Sequence, residues 1–156
     1  MQSARDIYQR HLDIVSEAVW RGDMATVSAA MSYPHEMQTN DSTLRVETPE
    51  DLQTSAIGFV ESLRRQGATD YHRVCTEAEF ATPGCDRIDG QHMVHVLKAG
   101  TYVTPPFASW MSLALIDGVW LGIGIRVAVR NSQVTVLNPA LVKRNRQGDA
   151  SPPDKL

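Results

Sequence analysis

An α+β fold, with helices packed on one face of a curved and mainly antiparallel sheet, is predicted by three features of this 156-residue sequence. Apolar residues recur at helical spacing up to Gly67, and everything after it is strand-like with short turns. The length suits one domain with a substantial core and is too short for two of ordinary size.

From Ala4 to Arg21, Ile7, Tyr8, Leu12, Val15, Ala18 and Val19 form an apolar stripe that leaves Arg5, Gln9, Asp13 and Glu17 outside it. Gly22 tolerates a left-handed stop, and Asp23 can cap a second helix over Met24 to Met31. Pro34 ends that helix, and two short extended stretches flank the turn formers Asn40, Asp41 and Ser42. Thr48 as cap, Pro49 in the first turn, and Glu50 and Asp51 at the positive end of the dipole start a third helix, with Leu52, Ala56, Phe59, Val60 and Leu63 as its buried stripe. Strands are predicted at Tyr71 to Ala81, Ile88 to Ala99, Phe107 to Ile116 and Val119 to Arg130. Asp117-Gly118 between the last two is a tight hairpin turn, since both central residues of the favoured turn need positive φ. The predicted domain spans residues 1–142, and from Lys143 onward the polar, Pro-containing sequence reads as a disordered tail.

The order of two helices joined by "RGDM", a "YP" entry to a short hairpin, a capped third helix and four long strands with "DGVW" in the last turn resembles the nuclear transport factor 2-like superfamily, and most of all its SnoaL-like branch. The resemblance covers about Ala4 to Arg130 and includes no catalytic signature. It implies a cone with a pocket between sheet and helices, and a homodimer through the outer face of the sheet. Function does not follow from it, because this fold carries isomerases, dehydratases, cyclases and non-catalytic domains.

A two-residue turn at Asp117-Gly118 would place Trp110, Ser112, Ala114, Val119, Leu121, Ile123 and Ile125 on one face, and Ser109, Met111, Leu113, Trp120, Gly122, Gly124 and Arg126 on the other. Both faces are apolar, and one helical layer covers only one of them, so a second copy of the chain is the expected cover for the other. The Trp120 face is assigned outward because Arg126 and Arg130 continue it.

The five histidines are the main candidates for chemistry. His92 and His95 would be neighbours on a helix, but on a strand an odd separation sends them to opposite faces. Only one of the two therefore faces a pocket, and parity does not say which. His72 shares a face with Val74, Thr76, Ala78 and Phe80, opposite the polar Arg73, Glu77 and Glu79, and is expected to point inward. The resemblance implies that the segment of His35 and Glu36 borders the mouth of the cavity, where two neighbours on an extended chain point apart, and His11 is expected to project from the first helix beneath the sheet. Tyr8, Trp20, Tyr102 and Trp110 join His11, His72, His92 and His95 as candidate ligand contacts, each combining an apolar body with a polar handle. For every one, a satisfied structural side chain is the competing reading. Glu77 and Glu79 read as a solvated charge stripe, and Asp117 as a turn residue.

A formal net charge of -3 gives no basic footprint for nucleic acid or an anionic membrane. No apolar run approaches the roughly 20 residues that cross a bilayer, and the first ten residues lack a signal-peptide layout, so cytoplasm is the expected compartment and Cys75 and Cys85 are expected as free thiols. There is no phosphate-binding glycine loop, HExxH, CxxC or GxSxG motif, and the reading requires neither a metal nor a cofactor. The leading expectation is a homodimeric domain that binds a small, largely apolar ligand. The alternatives are a cofactor-independent lyase, isomerase or cyclase with a pocket histidine as acid or base, and a non-catalytic dimerisation module.

Overall fold

The computed structural model describes residues 2–149. Helix α1 (Ala4–Arg21) begins on Ser3, whose hydroxyl accepts from the Asp6 amide, and stops at Gly22 with φ 83. Helix α2 (Met24–Ala29) is capped by Asp23 and is two residues shorter than the apolar pattern suggests, because Met31 already begins strand β1 (Met31–Gln38). Strand β2 (Thr43–Val46) completes a hairpin, and α3 (Pro49–Arg65) starts on the predicted Thr48 cap. Then follow β3 (Asp70–Phe80), β4 (Arg87–Lys98), a two-residue β5 (Thr101–Tyr102), β6 (Phe107–Ile116) and β7 (Val119–Val127). Asp117 and Gly118 both have positive φ, 51 and 79, as a two-residue turn between β6 and β7 requires.

The strands form one curved sheet in the order β2-β1-β7-β6-β4-β3, with β5 on β4. All pairs are antiparallel except β1 with β7, which run parallel. The helices cover the concave face, where Leu12 of α1 packs with Ile88 and Leu113, Val15 with Leu44 and Val46, and Leu63 of α3 with Val96 in a buried core.

Two β-bulges redirect the strands. Between β6 and β7 the register slips at Ile123: Leu113 pairs with Gly122, whereas Ser112 pairs with Gly124. An extra residue in one strand reverses which side chains face inward. Trp120 and Gly122 therefore face the helices before the bulge, and Ile125 and Val127 do so after it. This overturns the outward assignment of the Trp120 face: Met111 and Leu113 are buried, and Trp120 packs beside Phe80. The outer face carries Trp110, Ser112 and Ala114, with the Arg126 guanidinium stacked 3.8 Å above the Trp110 ring.

The second bulge lies at Thr76 in β3, where Cys75 pairs with His92 and Glu77 with Gln91. Tyr71, Arg73 and Cys75 face inward ahead of it, and Ala78 and Phe80 after it. The expectation that His72 points inward fails for this reason, and His72 is exposed on the outer side. Side chains of α1 take up peptide groups beside the distortion. Arg5 donates to the Thr76 and Cys75 carbonyls, and the Gln9 amide bonds both the Arg73 carbonyl and the Cys75 N–H.

Past β7 the chain crosses back over the helical layer. Asp41 accepts from the Asn131 amide at 2.6 Å, and the Asn131 side chain clasps Leu137 through both backbone groups. Helix α4 (Pro139–Asp149) follows, so residues 143–149, expected to lack structure, are helical. Leu141 and Val142 are buried in the cluster that contains Leu44 and Val46 of β2, and Asn145 accepts from the Arg45 amide on that edge strand. The helix has an apolar face too short to stand out from its polar sequence. The rest of the predicted tail lies outside the described residues. No described helix is long and apolar enough to cross a membrane.

Candidate functional site

Beneath the concave face, side chains of α1, α3 and the sheet, with Val136, line a cavity of about 110 Å³. Val19, Phe59, Val94, Phe107, Val127 and Val136 supply much of its wall. The polar lining is sparse: Arg73, His92, Tyr71, Ser109, His35 and Ser55. No carboxylate side chain among the described residues lines it.

Arg73 is brought inside by the alternation of β3 ahead of its bulge. It is only 8% exposed. Its Nε donates to Ser16 Oγ at 2.7 Å and its Nη2 to the Leu12 carbonyl at 3.4 Å. These acceptors are neutral, whereas the ion pairs among the described residues join other, surface-lying arginines to acids. A guanidinium stays charged in any protein environment. Among the described residues the cavity thus has one fixed positive charge and no negative one.

His92 is fully buried on β4, and its Nδ1 lies 2.6 Å from the Tyr8 hydroxyl of α1. Gly90 makes this contact feasible, because a Cβ at that position would fall on the Tyr8 ring. Burial, reinforced by the charge of Arg73, pushes the His92 pKa down to about 2, so the ring is neutral. Burial also holds the Tyr8 phenol well above its ordinary range and therefore protonated. In the tautomer in which Tyr8 donates to Nδ1, the proton of the imidazole resides on Nε2, which has no partner within the described residues. The cavity wall thus carries a buried imidazole nitrogen without a hydrogen-bond partner among the described residues.

Two further histidines sit nearby. His35 donates from Nδ1 to the Gly122 carbonyl at 3.2 Å, and His11 from Nε2 to the Ala30 carbonyl at 3.0 Å. Burial lowers both to about 4.

Of the residues singled out in the sequence, His92 lines the cavity and Tyr8 supports it from behind, while His11 packs between α1 and the start of β1. Trp20 is half-buried against Tyr71 under the Arg64 guanidinium. His72 is exposed, and Trp110 lies on the outer face. His95 also lies on the outer face, its Nδ1 3.1 Å from the Tyr102 hydroxyl, so the pair His92 and His95 is split by the pleat as strand parity requires. Sequence reasoning missed Arg73, Tyr71 and Ser109. Arg73 looked like part of the solvated stripe with Glu77 and Glu79, and only the bulge at Thr76 separates it from them.

No protein-family model matches the chain, and no curated protein is significantly similar to it. Solved structures are. A domain of unknown function with a cystatin-like fold from Nostoc punctiforme superposes with a TM-score of 0.64 at 12% identity, covering 97% of this chain and 98% of that one. An NTF-2 like protein of unknown function from Shewanella oneidensis gives 0.61 at 13% identity over 80% of this chain and 98% of its own. A de novo designed protein with a curved β-sheet gives 0.51 at 12% identity, covering 78% and 99%. These likenesses concern architecture alone, and with the helices and the bulged, curved sheet they identify the chain as having the nuclear transport factor 2-like, cystatin-like fold.

Proposed function

We propose that this SnoaL-like domain binds a small, largely apolar molecule in the cavity under the sheet. The observation that carries the reading is the cavity itself, a wall of branched and aromatic side chains around about 110 Å³ with few polar groups. Drug-sized pockets run from roughly 300 Å³ upward, whereas an apolar cavity of about 150 Å³ holds benzene. The ligand is accordingly a molecule of a few carbons, or a short part of a longer one.

Cyclopentane provides a direct test. It should raise the melting temperature of the wild-type protein and show cross-relaxation with cavity methyl groups in NMR. Ala56→Leu, which places three more carbons at the cavity wall on a helix that tolerates leucine, should abolish both effects while the protein stays folded. Absence of binding to the wild type would refute the reading.

A catalytic alternative draws on the Tyr8–His92 pair, in which His92 would move a proton for a lyase, isomerase or cyclase reaction. Its difficulty is electrostatic: a ring held to about 2 is a weak base at neutral pH. Binding is therefore the stronger reading. The second part of the proposal is a homodimer through the outer sheet face, supported by the apolar Val74, Met93 and Trp110 along it.

A further inference from the structure

Resting on the reading of the cavity as a ligand site, we propose that the ligand carries a carboxylate, seated on Arg73 with its apolar body toward Val94, Phe107 and Val127. Three independent observations converge on this. The first is the cost of Arg73 where it stands. A buried guanidinium facing only neutral oxygens leaves its desolvation uncompensated, and removing such a charge's partner is among the most destabilising changes a protein interior can suffer. Arg73 has five N–H donors, of which Nε and Nη2 contact Ser16 and Leu12, and it borders the cavity.

The second is the absence of competition. No Asp or Glu among the described residues lines the cavity, so an anion entering it meets no carboxylate there and displaces no internal salt bridge. The third is His92, a cavity-lining residue whose Nε2 finds no partner among the described residues. In the tautomer in which Tyr8 donates to Nδ1, Nε2 is a donor, the same polarity as the guanidinium. The guanidinium without an anionic partner and this nitrogen without any then both call for an acceptor. A carboxylate is the smallest organic group that takes two N–H donors from a guanidinium fork and still leaves lone pairs for a third.

Size completes the assignment. A volume of about 110 Å³, less than the roughly 150 Å³ that holds benzene, admits a carboxylate with a body of about two carbons, which describes a short-chain monocarboxylic acid.

Isothermal titration of the whole protein with propanoate and with its uncharged isostere propanamide, at pH 7.5, tests the proposal, with cyclopentane as the probe of the cavity. Propanoate should bind at least ten-fold more tightly than propanamide. Arg73→Met should reduce propanoate to the level of the amide while cyclopentane still binds, and Arg73→Lys should restore part of the preference. Equal binding of acid and amide, or a preference that survives Arg73→Met, would overturn the carboxylate assignment and leave the apolar site standing. Failure of all three probes would remove the site itself. If Arg73→Met does not fold, the wild-type ratio and the Lys variant decide.

Discussion

His11, His35 and His92 are three imidazoles held uncharged by burial, each with one ring nitrogen bonded and its pKa pushed below the ordinary value near 6.5. Their effect on stability has a definite sign. In the unfolded chain each takes up a proton as pH falls through about 6.5, whereas the folded protein does not until about 4 for His11 and His35, and about 2 for His92. The unfolded state therefore binds more protons between these limits, and folding free energy is lost as pH falls from 6.5 toward 4. Each histidine contributes on the order of 1 kcal/mol per pH unit in that window. Urea unfolding at pH 7.5, 6 and 5 should show the midpoint dropping steeply, and replacing His35 by Gln should flatten the dependence. A midpoint unchanged between pH 7.5 and 5 would contradict the neutral-histidine interior.

At the level of elements, what the sequence revealed and what it hid divide along a physical line. Caps, left-handed stops and the Asp117-Gly118 turn are local chemistry, so Gly22, Thr48 and Gly118 act in the structure much as their positions suggest. A bulge is not local in that sense. Thr76 and Ile123 carry no signal of their own beyond the glycines flanking Ile123, yet each inverts the facing of half a strand. The orientation of His72, the inward Arg73 and the inward Trp120 all depend on strand facing. Helix α4 was hidden for another reason: its burial rests chiefly on Leu141 and Val142, and its N-terminus is held by Asn138, whose Oδ1 accepts from the Ala140 and Leu141 amides. Asn138→Ala should cost about 1 kcal/mol. Leu141→Ala should cost about 2–4 kcal/mol. Chemical denaturation distinguishes the two, and a loss near zero for Leu141→Ala would mean that α4 does not dock as described.

For the whole molecule, one face of the sheet is covered by helices and the other is not. The outer side presents Val74, about half exposed, beside the half-buried Met93 and Trp110. Sedimentation should give a dimer at micromolar concentration, and Met93→Lys, which sets a charge in the middle of that face, should weaken association at least ten-fold without lowering the melting temperature of the monomer. A wild type that stays monomeric at high concentration would refute the pairing. The chain's closures also have an order in time. Asp41 holds Asn131 across 90 residues, the Arg45 amide meets Asn145 across 100, and β1 finds its inner neighbour only in β7. Ring closures of that length carry the largest entropic barriers a small domain meets, and folds dominated by them form in milliseconds to seconds rather than microseconds. The first hairpin must therefore wait, unpaired on one side, until almost the whole polypeptide is available, and the cavity comes into being in the same event that completes the fold.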